Sequence, residues 1–149
     1  MTEFSNLAPV STILTISGLS SVANAAYSAP SSLVDNTAAT KSYLSGWVRL
    51  SFSAALTAGS GSPYVTLYAL EARDGTNLPN PPGASAAAPS TNARQVMAQL
   101  VASASFQIID FPLLDLYPFQ YGFQFYNGSG VAFSGTATAT LYRGDLQGV

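Results

Sequence analysis

Asp110 and Asp115 have the residue type for glycosidase chemistry, in which one carboxyl group donates a proton and the other acts as base or nucleophile. They lie on either side of Pro112, and nothing in the spacing turns them toward each other. Strand-end and turn acids are the preferred reading. Asp74-Gly75-Thr76-Asn77 resembles the start of a calcium loop but lacks the later acidic ligands such a loop needs. Asp-Gly is also an ordinary tight-turn signature. Gly59-Ser60-Gly61 and Gly128-Ser129-Gly130 have no following helix and no Lys, so they read as turns and not phosphate cradles. The aromatics remain. Trp47 falls opposite the apolar face of its own segment, and Tyr64, Tyr68, Tyr126 and Tyr142 are candidates to point away from a core. Such residues serve as a second core layer, as a subunit interface or as platforms for sugars.

The residue types that are missing narrow the field further. The 149 residues include no His and no Cys. A Ser-His-Asp triad, thiolate chemistry, disulfides and the usual zinc sites are therefore excluded. Five basic residues, scattered along the chain, do not make the clustered cation patch that nucleic acid requires. No metal and no cofactor is expected, and the expectation is a non-enzyme. Charged residues are 8% of the chain and the net charge is -2, against about 25% charged in an ordinary soluble domain. A surface so poor in charge is weakly protected against association. It fits a protein whose surface is covered, by its own copies or by a larger lattice.

The elements that would position these residues are strands. From Trp47 to Ala54, Val48, Leu50, Phe52 and Ala54 share one face, and Trp47, Arg49, Ser51 and Ser53 the other. Phe119, Tyr121, Phe123 and Phe125 alternate with Gln120, Gly122 and Gln124. Val131 to Tyr142 alternates again, and the glycine-rich 127–130 stretch between the two runs predicts a hairpin. Pro63 to Ala72 predicts a strand buried on both faces. Ala93 to Ile109 carries apolar residues at every even position from Val96 to Ile108, which favours a strand over a helix. Val10 to Ser17 is a possible first strand. Ala8 to Ala26 is mildly apolar and ends in an A-x-A-like pattern, but no basic residue precedes it, so a secretory signal is not expected. No apolar run is long enough for a membrane-spanning helix. The expected fold is all-β: an antiparallel β-sandwich, jelly-roll-like, with an extended N-terminal arm. Residues 1–28 form that arm or a first strand, and residues 29–149 a single sandwich domain.

Three stretches carry a family resemblance. They are Pro63-Tyr64-Val65-Thr66-Leu67-Tyr68-Ala69-Leu70 with Asp74-Gly75-Thr76-Asn77, Leu33-Val34-Asp35-Asn36-Thr37, and the run from Tyr121 to Phe133 followed by Leu141-Tyr142-Arg143. In these the chain resembles small virion proteins of tailed bacteriophages. The resemblance implies a β-sandwich that decorates the capsid, a cement protein on the outer surface of the particle, or one attached elsewhere in the virion. It implies no catalytic residues. The expected partner is the major capsid protein or another virion protein, with a homo-oligomer, a trimer by lattice geometry, and no nucleic acid or membrane. Arms and long loops are where a rigid sandwich meets partners. The expected contacts are therefore Phe4, Leu7 and Val10 of the arm, Trp47, and Asp74, Asn77, Pro79 and Pro82 of the proline-rich loop. A tail or head-tail junction subunit and a carbohydrate-binding module are the alternatives.

Overall fold

A strand with one apolar face is stable only where that face meets another layer. The computed structural model of the chain describes residues 4–6, 10–37, 43, 45–74, 78, 87–89, 93–113, 116, 119–144 and 146–148, the first and last of these as backbone only. Its strands, in chain order, are β1 (Phe4–Asn6), β2 (Val10–Leu14), β3 (Ala26–Tyr27), β4 (Val34–Asp35), β5 (Gly46–Thr57), β6 (Tyr64–Ala72), β7 (Arg94–Gln99), β8 (Ser105–Leu113), β9 (Gln120–Gly128), β10 (Ala137–Arg143) and β11 (Leu146–Gly148). One sheet runs β2-β10-β5-β8 and the other β3-β9-β6-β7, with β4 also on β9; β1 and β11 form a separate pair. All pairings are antiparallel. The chain is an all-β sandwich of two packed sheets.

The pairings are nested. β1 pairs with β11, β2 with β10, β3 and β4 with β9, β5 with β8, and β6 with β7. The chain is thus doubled back on itself like one long hairpin with its closed end at β6 and β7. That double strand is then wrapped so that β10 also meets β5 and β9 also meets β6. The wrap brings the apolar faces together. Val48 and Leu50 of β5, Phe111 and Leu113 of β8 and Leu141 of β10 face Val65 and Leu67 of β6 and Phe123 and Phe125 of β9, all essentially without solvent exposure. Phe111 and Phe125 meet edge-on across the layers at 5.7 Å.

Local structure departs from the sequence expectation in three places. The run from Ala93 to Ile109 is two strands, β7 and β8, in different sheets, separated at Leu100–Ala104 by a turn in which Ser103 has φ 62°. The alternation survives the turn and so concealed it. Its parity then breaks, because the β5–β8 register shifts between Ser51 and Leu56. Ile108 is turned outward while Ile109 is buried, and Ala54 is exposed and not on the core face with Phe52. The expected hairpin after Asn127 is a crossover, since β9 and β10 belong to opposite sheets and β10 begins only at Ala137. The N-terminal segment, expected as arm or first strand, enters the sheets where it is described: β2 lies along β10, and β3 along β9.

The crossovers at one end of the sandwich lock together. Gly59 N–H donates to Ser129 O at 2.7 Å, and Gly130 N–H to Asn24 Oδ1 at 2.9 Å. Buried Asn127 donates to the carbonyls of Val22 and Val131 and accepts from Ser129. A Cβ on Gly130 would lie 2.8 Å from the Gly59 Cα, and Gly130 sits at φ +87°. Gly61 shares a left-handed φ of +92° but has nothing within 4 Å of its Cβ position. Gly61→Ala should therefore cost about 1 kcal/mol, the backbone strain alone. Gly130→Ala should cost about 2 kcal/mol or more, strain plus clash. Urea unfolding of the two variants checks the difference, and equal costs would contradict the packing described.

Candidate interaction surfaces

The outer face of the β2-β10-β5-β8 sheet is built by strict register. Trp47 stands beside Tyr142, Arg49 between Thr140 and Asp110, and Ile13 beyond Thr140. Trp47 and Tyr142 stack at 5.0 Å with planes 11° apart. The Arg49 guanidinium lies 5.7 Å from the Tyr142 ring centroid and grips Asp110 with both arms, Nε at 2.8 Å and Nη2 at 2.9 Å. That ion pair raises the Arg49 pKa, chiefly through its hydrogen bond to Asp110. Ile13 (70%) and Ile108 (51%) are exposed on the outer strands. Four strands at about 4.8 Å spacing make a face roughly 15 Å across. Its one ion pair is closed on itself and its other features are apolar, aromatic or hydroxyl.

The outer face of the second sheet is partly covered. Leu78, from the loop after β6, packs with Leu70, Ala72 and Ala93 in a small second core, with Tyr68 against it. Gln124 is fully buried there and donates to the carbonyls of Ser28 and Ala87. This covering is why β6 is buried on both faces. Beyond it stand four tyrosines: Tyr27 at 4.8 Å from Tyr126 and 5.9 Å from Tyr68, and Tyr64 at 5.8 Å from Tyr126. Burial, and then a hydrogen bond with Tyr27, pushes the Tyr68 pKa up to about 12. Burial and a hydrogen bond with Tyr64 raise that of Tyr126. A cross-strand ladder thus ties the hydroxyls together in their neutral form.

At the end of the sandwich that holds the long loop, Glu71 is buried between Arg73 (3.2 Å) and Arg94 (3.4 Å). Arg143 donates to Asp35 O at 2.8 Å and lies over the Tyr43 ring at 5.0 Å. Asn36 and Tyr43 bond each other through the Asn36 side chain and the Tyr43 backbone. The Asp35 pKa is lowered, first by the Thr37 hydroxyl and then by the Thr37 N–H, with burial opposing and the Arg143 charge adding a smaller pull. These groups hold loops in place.

Of the expected contact residues, Trp47 is half-buried on the first outer face, and Val10 begins β2 opposite Arg143 at 39% exposure. Phe4 is placed by its backbone in β1, opposite Gly148. Asp74 is exposed in the turn after β6. Leu7, Asn77, Pro79 and Pro82 lie outside the described residues, as does Asp115. Asp110 does not stand as a lone catalytic acid, because both its oxygens accept from Arg49. Among the described residues no three His, Cys, Asp or Glu side chains gather as a metal set. Tyr27 and Ile13 are not candidates from sequence, and Ile108 is read there with the apolar even positions and not as an outward residue. Parity did place Ile13 opposite Leu14, whereas Tyr27 stands in an Ala/Ser stretch with no alternation around it. No family model, no curated protein and no solved structure matches the chain.

Because the Tyr68 pKa is raised from 10.0 to about 12, its contribution to stability is fully present below pH 10 and is lost as the pH rises toward 12. Spectrophotometric titration should show a late tyrosinate component that Tyr68→Phe removes. A single transition near the ordinary tyrosine value, the same in both proteins, would contradict the ladder.

Proposed function

We propose that the chain is a structural protein of a tailed-bacteriophage particle, a jelly-roll decoration (cement) subunit that binds the assembled capsid from outside. The observation that carries this reading is the outer face of the β2-β10-β5-β8 sheet. Its only ion pair among the described residues is Arg49–Asp110, and it carries exposed Ile13 and Ile108 beside the half-buried Trp47–Tyr142 stack. A contiguous surface of this kind is suited to being covered by protein. The strand order supports the jelly roll: counted from β2 with β3 and β4 as one, strands one, eight, three and six share a sheet, as do two, seven, four and five. The setting is taken from the resemblance of the three stretches within residues 33–143 to small virion proteins. Binding the assembled shell and not its free subunits would stabilise the shell by mass action, with no chemistry needed. A subunit of the tail or head-tail junction could use the same face and would differ in copy number. Trp47 and Tyr142 cover one face of each other, and a carbohydrate-binding module would use the faces that remain.

The test is add-back. Purified chain added to particles that lack it should raise the temperature at which they rupture. Ile13→Lys and Ile108→Lys, at exposed positions that the fold does not need, should weaken particle binding about tenfold or more. Unchanged binding by both variants would move the contact off this face, and no binding to any phage particle component would end the reading.

A further inference from the structure

The four sheet edges are not alike. β3 and β4 are two residues each. In β8, Pro112 has no N–H to offer, and its ladder to β5 is interrupted by a register shift. β2 shows only Ser11 and Ile13 on its free side before the chain turns to bridge Ser31 from Ile16. Short strands, proline and irregularity are the usual protections of an edge. β7 has none of them, and from Gln95 to Ile109 the sequence holds no charge.

The direction of the β7 backbone follows from the ladder. Leu100 N–H donates to Pro63 O at 2.9 Å. Hydrogen-bonded pairs recur at every second residue of an antiparallel ladder, so Ala98 and Val96 bond to Val65 and Leu67 of β6. Gln95, Met97 and Gln99 then aim their N–H and C=O groups away from the sheet. The other side of β6 agrees: Ser28 and Ala25 donate to Phe125 and Asn127 of β9, which leaves the intervening β9 residues for β6. Among the described residues no strand lies beyond β7.

Gln95-Val96-Met97-Ala98-Gln99 reads almost the same in both directions. Laid antiparallel on itself about Met97, it sets Gln95 against Gln99, Met97 against Met97 and Val96 against Ala98. The outward-facing residues Gln95, Met97 and Gln99 become the hydrogen-bonded pairs. Nothing charged meets across the seam, and Met97 (61% exposed) and Val101 (68%) gain cover. We infer that β7 is a two-fold seam on which a second copy of this chain pairs its own β7, joining the two β3-β9-β6-β7 sheets into one continuous sheet. The match is to a copy of the same strand, and no other strand chemistry is called for by the edge. This deepens the homo-oligomer expected of a particle component. It replaces three-fold by two-fold symmetry and is read on purified chain, so it can fail while particle binding stands, and the reverse.

Sedimentation and amide hydrogen exchange test it. The wild-type chain should be dimeric, and the amides of Gln95, Met97 and Gln99 should exchange about tenfold slower or more at high protein concentration than at low. Those of Val96 and Ala98, bonded within the monomer, should not respond. M97K and M97E should each be monomeric and folded by circular dichroism, and an equimolar mixture of the two should dimerise again, since opposite charges then meet at the centre. A wild-type monomer whose three amides exchange equally fast at every concentration overturns the seam. So does a dimer that persists in both variants. Protection of those amides only when the chain is on a particle would also overturn it, in favour of a strand from another protein. Should both variants unfold, the wild-type exchange pattern decides alone.

Discussion

The sandwich depends on nested long-range pairing. Each strand of the first half finds its antiparallel partner at the mirrored position in the second half, from β6 with β7 outward to β1 with β11. The first closure is the β6–β7 pair, which must bridge the 73–93 segment; every later pair closes a longer loop, at a modest further entropic cost. Folding dominated by such non-local contacts is slow. What offsets the cost is the aromatic seam between the sheets, where Phe111, Phe123 and Phe125 are buried outright. The crossovers at the far end add Leu19, Val22, Ala58, Leu100 and Phe133 to the core. Asn127, Ser129 and the Gly59–Gly130 approach then fix their backbones, a polar and steric lock that tolerates few other side chains.

Much of this was legible in the residues. The core face of β5 as far as Phe52 and the Tyr121-Phe123-Phe125 face of β9 follow from alternation, and double burial of β6 follows from its lack of it. Parity places Trp47 opposite the core, and it lies on the outer face. What alternation cannot report is which sheet a strand joins. The β7–β8 turn at Leu100–Ala104 keeps the even-odd rhythm, so two strands looked like one. The Asn127–Gly130 turn carries hairpin residues but serves a crossover, because β10 pairs with β5 and β2 and not with its neighbour in sequence. The Tyr27 contribution to the tyrosine ladder was invisible for a related reason: a two-residue strand has no period to read.

The two outer faces are finished differently. On the β6–β9 side the chain supplies its own cover, with Leu78 over Leu70 and the Ala87 carbonyl taken by Gln124. On the β5–β10 side no described segment lies over Trp47, Tyr142, Ile13 and Ile108. A chain with 8% charged residues has little else with which to keep such a face in water. That contrast, more than any single residue, motivates a role in which another protein covers the face.

The central claim is that this chain is a repeated component of a particle shell. Its copy number per purified virion, measured by quantitative mass spectrometry against the major capsid protein, tests that claim most directly. The account predicts a fixed ratio on the order of one copy per one to three capsid subunits, as expected of a symmetric surface lattice. A handful of copies per particle, or none, would contradict it.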